Sequence, residues 1–190
     1  YVTPSGMSSE WRTILLGTAG RGGKGLFALN VSDPSHFSSS DIMWEISASQ
    51  TPNSADLTEF QNNLGYTMAE PSIVKLQNGD WVAIVANGYE SASKKAVLYI
   101  LNLQTGKILN AIDTGVGSGT LPNGLSTPVP IDQDGDSLVD TIYAGDLQGN
   151  LWKFDVSDKL ASMWGVAFTK SSKPTPLYSV KDSNGDAQAI

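Results

Sequence analysis

The hexapeptide LYILNL at residues 98–103 has two counterparts in the chain, LFALNV at residues 26–31 and LWKFDV at residues 151–156. Each copy reads leucine, aromatic residue, variable residue, apolar residue, asparagine or aspartate, and aliphatic residue. Each copy also follows a second β-rich run that ends near a glycine; these runs are residues 13–17, 82–88 and 141–145. Such pairs of apolar and β-branched runs, separated by turn residues, predict three successive β-hairpins.

Further β-rich runs flank these hairpins and predict four strands per unit. Runs at 71–76 and 128–131 supply a first strand in two units, and runs at 108–113 or 177–180 supply an outer one. Four-stranded units repeated along a chain are typical of a β-propeller. The polar stretch 52–63, which lies between two units, is expected to hold one helical turn after Ser54.

The predicted fold class is therefore all-β, a modified β-propeller of about three blades. The blade-like units are expected at about residues 1–50, 64–114 and 124–181, with residues 182–190 starting a further blade. Three blades cannot close a ring, and open sheet edges expose unpaired backbone groups. We therefore expect this chain to be part of a larger protein.

Composition excludes several classes of function. The 190 residues carry 12 Lys and Arg against 19 Asp and Glu, a net charge of −7, which argues against nucleic acid as a partner. The absence of cysteine excludes thiol nucleophiles, disulfides and Cys-based metal sites. The one histidine, His36, is expected to be an exposed loop residue. No apolar run is long enough to predict a transmembrane segment.

The segment DQDGDSLVD at residues 132–140 has the spacing of a calcium loop. Its carboxylates occupy loop positions 1, 3, 5 and 9, and position 7 can offer a backbone carbonyl. The predicted Ca²⁺ ligands are Asp132, Asp134, Asp136, Asp140 and the carbonyl of Leu138. The alternative is an acidic, solvated turn between two strands.

Two departures distinguish this loop from an EF-hand. Ser137 stands at position 6, where glycine usually eases the turn, and Tyr143 stands at position 12, where glutamate is usual. Magnesium is less well suited to the loop because it requires a stricter octahedron. The related segment DSNGD at residues 182–186 lacks the position-9 carboxylate and is predicted to be a hairpin turn.

Two other patterns are interpreted as structural. Residues 20–25 match G-x-G-x-x-G, but a predicted strand follows rather than the helix that would hold a pyrophosphate. Most of the tryptophans lie at the start of, within or near β-rich runs, so blade packing is preferred over a sugar or quinone platform. They are Trp11, Trp44, Trp81, Trp152 and Trp164.

Residues 132–155, reading DQDGDSLVDTIYAGDLQGNLWKFD, closely resemble the signature of the PilY1/PilC-type type IV pilus biogenesis proteins. The segment LGYTMAEPSIV at residues 64–74 and the shorter stretches 87–89 and 96–99 are also similar to this family, and residues 22–31 match more loosely. The resemblance implies a modified propeller in the C-terminal region of a large secreted protein at the pilus and outer surface of a Gram-negative bacterium. It also implies that calcium occupancy of the loop is linked to pilus extension and retraction, and that members act as adhesins.

The leading functional hypothesis is a non-enzymatic, calcium-responsive propeller module of a pilus-associated biogenesis factor and adhesin. Its expected partners are pilins and other pilus components, and a host-surface receptor. One alternative is a quinoprotein dehydrogenase-like propeller, in which the metal would lie beside a cofactor in the central channel rather than in a contiguous loop. Another alternative is a purely structural calcium site in a propeller that binds a protein or glycan elsewhere.

Overall fold

The computed structural model describes residues 11–51 and 53–190. In this part of the chain, three larger antiparallel sheets follow one another along the sequence, and one α-helix lies between the first and the second. The first sheet has the order β1-β2-β3. Its strands are β1 (Ile14–Thr18), β2 (Gly25–Asn30) and β3 (Ile42–Ser47). Short 3₁₀ turns at Gly20–Gly22, Pro34–His36 and Ser39–Asp41 lie in its loops.

Helix α1 (Ala55–Asn63) is longer than the single turn that the sequence predicts. Ser54 caps the helix, because its side chain accepts a hydrogen bond from the Leu57 N–H at 3.2 Å. Phe60 is buried and packs at 5.1 Å between ring centroids against Tyr99 of the second sheet. This tertiary contact extends the helix beyond what the polar sequence of the segment indicates.

The second and third sheets each place strands in chain order. The second has the order β4-β5-β6-β7, formed by β4 (Ser72–Lys75), β5 (Trp81–Ala86), β6 (Val97–Asn102) and β7 (Ile108–Asp113). The third has the order β8-β9-β10-β11, formed by β8 (Val129–Ile131), β9 (Thr141–Gly145), β10 (Asn150–Asp155) and β11 (Gly165–Val166). A 3₁₀ turn at Ala161–Met163 precedes β11, and β12 (Thr169–Lys170) pairs with β13 (Lys173–Pro174).

The three repeated hexapeptides occupy β2, β6 and β10, and each pairs with the preceding strand as predicted. The predicted outer strand at residues 108–113 is β7. In the third sheet two short strands share the outer edge of β10. One is β11, beside Phe154 and Asp155, and the other is β14 (Tyr178–Ser179), beside Asn150 and Leu151.

The hydrophobic core lies on both faces of the second sheet. On β5, Val82 and Ile84 face a cluster shared with the third sheet, which includes the fully buried Trp152. Ala83 and Val85 face the opposite cluster, which is shared with the first sheet and α1. Because successive side chains of a strand point to opposite faces, an apolar run without alternation identifies a sheet that is covered on both sides.

Asn87 connects the second sheet to the loops on either side of it. The residue is fully buried and directly follows Ala86, the partner of Leu98 across the hairpin. Its Oδ1 accepts hydrogen bonds from the N–H groups of Val97 and Leu125, both at 3.1 Å. Its amide donates to the carbonyls of Asn63 and Lys95, both at 2.8 Å.

Asp146 occupies the equivalent position in the third sheet, after Gly145, the partner of Leu151. It is fully buried, and its Oδ2 accepts hydrogen bonds from the side chains of Asn123, Asn150 and Trp152 at 2.8–3.0 Å. Its Oδ1 accepts from the backbone N–H groups of Gln148 and Asn150. Five donors therefore compensate the burial of one carboxylate.

Residues 178–190 lie against the β9–β10 hairpin. The N–H of Ile190 donates to the carbonyl of Asp146 at 3.0 Å, and Lys181 forms an isolated antiparallel bridge with Ala187. The intervening residues 182–186 form the predicted hairpin turn, in which the Gly185 N–H donates to the Asp182 carbonyl at 3.1 Å. The blade boundaries proposed from the sequence, including a further blade starting at residue 182, stay predictions.

We predict that Gly88→Ala destabilises the protein more than Gly79→Ala. Both glycines have positive φ, +69° and +86°, so a left-handed alanine costs about 1–2 kcal/mol at either position. A Cβ at Gly88 would also overlap the Tyr66 carbonyl, whereas a Cβ at Gly79 meets open space. Overpacking then adds about 1–3 kcal/mol at Gly88 alone. Urea denaturation measures both values, and equal losses would contradict the close chain crossing at Tyr66.

Candidate metal centre

The nine-residue segment from Asp132 to Asp140 connects β8 to β9 of the third sheet. The Asp140 N–H donates to the Ile131 carbonyl at 3.1 Å, which closes the base of the loop. Gly135 and Ser137 have positive φ values of +82° and +72°. These two left-handed residues turn the backbone sharply enough for alternate side chains to converge.

Three of the predicted ligand carboxylates lie together. Oxygen atoms of Asp132, Asp134 and Asp136 all lie within 4.8 Å of one another, and all three side chains are solvent-accessible. Asp132 accepts backbone hydrogen bonds from Gly135 at 2.7 Å and from Ser137 at 2.8 Å. These bonds, that from Ser137 above all, hold the pKa of the Asp132 carboxyl below its ordinary value.

The other two carboxylates of this cluster are also held by the loop backbone. Asp134 accepts a hydrogen bond from the Asp136 N–H at 3.2 Å, and Asp136 accepts one from the Leu138 N–H at 2.8 Å. Each aspartate therefore bonds to an N–H group two to five residues further along the chain. This pattern of Asx turns orients the carboxylates before any ion is bound.

Asp140 lies outside this cluster of three and is buried at 9% exposure. Its Oδ2 accepts a hydrogen bond from the Gln133 N–H at 2.8 Å. Its Oδ1 accepts a longer hydrogen bond, at 3.4 Å, from the side chain of Gln77. The roles of Asp140 and of the Leu138 carbonyl as ligands, like those of the three clustered aspartates, stay predictions.

Gln77 is the residue at this site that the sequence does not reveal. It lies in the turn between β4 and β5 of the second sheet, 59 positions before Asp136. Its amide donates to Asp136 Oδ2 at 3.2 Å as well as to Asp140. No local spacing rule connects a glutamine in one hairpin turn to an aspartate loop in the next sheet.

The donor set suits a hard divalent cation. Three carboxylates concentrate negative charge, and two unit charges 4 Å apart repel by about 1 kcal/mol in water and about 4 kcal/mol at an effective dielectric of 20. Among the described residues, the lysine ion pairs join Lys94 to Glu90 and Lys95 to Asp113, and neither reaches the loop. Oxygen ligands without nitrogen or sulfur favour Ca²⁺ or Mg²⁺ over transition metals.

The glycine-rich segment at residues 20–25 is a hairpin loop, as expected. A 3₁₀ turn at Gly20–Gly22 is followed, two residues later, by β2. The helix that a dinucleotide site would need is absent at this position of the described chain. His36 is exposed in its loop and contacts Asp33 at 2.8 Å.

Most of the tryptophans pack as predicted. Trp44, Trp152 and Trp164 are buried and donate indole hydrogen bonds to Leu103 O, Asp146 Oδ2 and Asp158 O respectively. Trp81 is partly buried against the core. Trp11 is 69% exposed and departs from the interpretation as blade packing.

Comparison with known proteins assigns the family. The sequence matches the family described as the PilY1 beta-propeller domain over residues 4–190. The chain belongs to this PilY1 β-propeller family. The resemblance noted in the sequence is thereby confirmed.

Two curated relatives illustrate the similarity. A type IV pilus biogenesis factor PilY1 homolog from Xylella fastidiosa (strain Temecula1) is 40% identical over 193 residues, 97% of this chain and 12% of that protein. The type IV pilus biogenesis factor PilY1 of Pseudomonas aeruginosa (strain PAO1) is 39% identical over 196 residues, 95% of this chain and 15% of that protein. The chain thus spans only a small part of the length of these relatives. Both relatives are named for type IV pilus biogenesis.

A solved structure supports the fold directly. The crystal structure of the Pseudomonas aeruginosa PilY1 C-terminal domain superposes with a TM-score of 0.80 at 38% sequence identity. The match covers 95% of this chain and 37% of that one. The predicted fold class, an all-β propeller fragment, is confirmed for this PilY1 β-propeller chain. None of its described helices has the length and apolar character needed to span a membrane.

We predict that Ser137→Gly stabilises the ion-free protein by about 0.5–1 kcal/mol. A non-glycine residue in the left-handed region costs about 1–2 kcal/mol, and the added freedom of glycine in the unfolded chain offsets part of the gain. Ser172→Gly is the matched control. Ser172 also has a left-handed backbone, with φ +60°, but it lies in the β12–β13 turn, outside the aspartate loop. Urea denaturation in chelator measures both changes. A loss of stability in Ser137→Gly would contradict the strained loop geometry.

Proposed function

We propose that this PilY1 β-propeller chain binds one Ca²⁺ ion in the loop from Asp132 to Asp140. Asp132, Asp134, Asp136 and Asp140, with the Leu138 carbonyl, would hold the ion. The observation that carries the proposal is the convergence of three carboxylates within 4.8 Å in a loop with calcium-type spacing. Calcium accepts six to eight oxygens in flexible geometry, which suits a loop closed by two left-handed residues.

The bound ion would supply charge neutralisation and order, not chemistry. It would replace repulsion between carboxylates by attraction to a common centre. An ion that binds only the folded state at 100 times its dissociation constant adds about 2.7 kcal/mol of stability. That free energy is sufficient to shift a marginally stable loop between two arrangements.

We also propose that this chain is a non-enzymatic module of a larger protein, which acts as a type IV pilus-associated biogenesis factor and adhesin. The names of the relatives support a role in pilus biogenesis. Calcium occupancy would modulate pilus extension and retraction. The proposed partners are pilins and a host-surface receptor, and the proposed location is the secreted, pilus-associated fraction at the cell surface.

We predict that Asp136→Asn weakens calcium binding by at least about tenfold, because one charged ligand is lost. Isothermal calorimetry of calcium into chelator-treated protein measures the affinity, with magnesium as the competing ion. Asp186→Asn is the matched control: it removes the same charge from the similar Asp-rich turn at residues 182–186. Failure of the folded wild-type protein to bind calcium would overturn the proposal, as would an equal loss in both variants.

In the bacterium, we predict that full-length protein with Asp136→Asn is secreted normally but gives altered pilus extension, retraction and twitching motility. The reason is that the loop would remain in its ion-free arrangement at physiological calcium. Asp186→Asn should leave pilus dynamics unchanged. Normal dynamics with a folded, secreted Asp136→Asn protein that has lost calcium binding would show that the ion is purely structural.

A further inference from the structure

The aspartate loop makes direct contact with the second sheet, through a turn that belongs to that sheet. Residues 76–80 connect β4 to β5, and the Gly79 N–H donates to the Leu76 carbonyl at 2.9 Å. Leu76 is fully buried in the core between the second and third sheets. The turn is therefore held in place on the side that faces the loop.

Backbone contacts fix the end of the loop to this turn. The Val139 N–H donates to the Lys75 carbonyl at 2.9 Å, and Leu76 and Val139 form an isolated parallel bridge. Val139 and Asp140 are both buried. The last residues of the loop are therefore fixed at the junction between the second and third sheets.

Gln77 adds the side-chain link. It stands directly after Leu76 and is partly buried, and its Nε2 donates to Asp136 Oδ2 at 3.2 Å and to Asp140 Oδ1 at 3.4 Å. One amide group thus bonds to a member of the accessible cluster and to the buried carboxylate outside it. Hydrogen bonds to ionised acceptors are stronger than neutral ones, and they orient the acceptor.

We propose that Gln77 is a positioning residue for the calcium site and that it couples occupancy of the loop to the contact between the second and third sheets. This inference rests on the calcium site proposed above. From the neighbouring sheet, Gln77 holds the carboxylates of Asp136 and Asp140 in position relative to each other. The ion therefore does not have to supply all of their ordering. By reciprocity, an ion that fixes both carboxylates also fixes the turn that bonds to them.

The first test is calcium affinity by calorimetry in Gln77→Ala and Gln104→Ala. Loss of a hydrogen bond to a metal-ligating group commonly lowers affinity by about 10–100-fold, and we expect at least about tenfold for Gln77→Ala. Gln104→Ala removes the same amide from another turn of the second sheet, the one between β6 and β7, where the residue is also partly buried and lies outside the aspartate loop. Its affinity should equal that of wild type. Melting curves in chelator verify that both variants are folded.

The second test is amide hydrogen exchange. If Gln77 had only a structural role, its substitution would not selectively remove the calcium-dependent protection of the turn. In wild type, saturating calcium should slow exchange both in the loop and in the turn at residues 76–80. In Gln77→Ala at saturating calcium, the loop should still be protected, while the protection of the turn should be lost.

The outcomes separate the two proposals. Absence of calcium binding by wild type overturns both of them. Two other outcomes overturn only the proposal about Gln77 and leave the calcium site standing. One is equal calcium affinity in wild type and Gln77→Ala. The other is calcium-dependent protection of the turn that survives in Gln77→Ala.

Discussion

The structure depends on the burial of the second sheet on both faces. The run from Val82 to Ala86 and the run from Val97 to Leu101 are each almost entirely inaccessible to solvent. A sheet of this kind cannot expose either face without losing about 25 cal/mol for each Å² of apolar surface returned to water. The first sheet with α1 must therefore cover one side, and the third sheet must cover the other.

Apolar stacking alone does not fix how neighbouring sheets are aligned, and buried polar groups add that constraint. Asn87 bonds to backbone groups before and after its own hairpin, including the N–H of Leu125 in the connection to the third sheet. Asp146, at the equivalent position, bonds to Asn123 of the same connection. A shift between sheets would leave these groups unpaired in the core, at about 1–3 kcal/mol for each neutral group.

The fold was predictable because its signal is local and repeated: the hexapeptide at residues 98–103 and its two counterparts mark strands wherever they occur. The aspartate loop was predictable for the same reason, since Asp132, Asp134 and Asp136 converge through spacing within one turn. Gln77 could not be found this way, because its contact with the loop exists only once two sheets are packed. The full length of α1 likewise depends on a distant partner, Tyr99.

The aspartate loop has an exposed half and an anchored half, and this division matters for any ion that binds there. Asp134 and Asp136 are exposed, whereas Asp140 is buried and the adjacent Val139 is bonded to the second sheet. If carboxylates from both halves bind an ion, the loss of conformational entropy falls mainly on the exposed half, since the anchored half is already fixed by folding. The same ion would join solvent-exposed backbone to the core of the stacked sheets. Its effect would therefore extend to the packing between sheets, which distinguishes this site from an isolated surface turn.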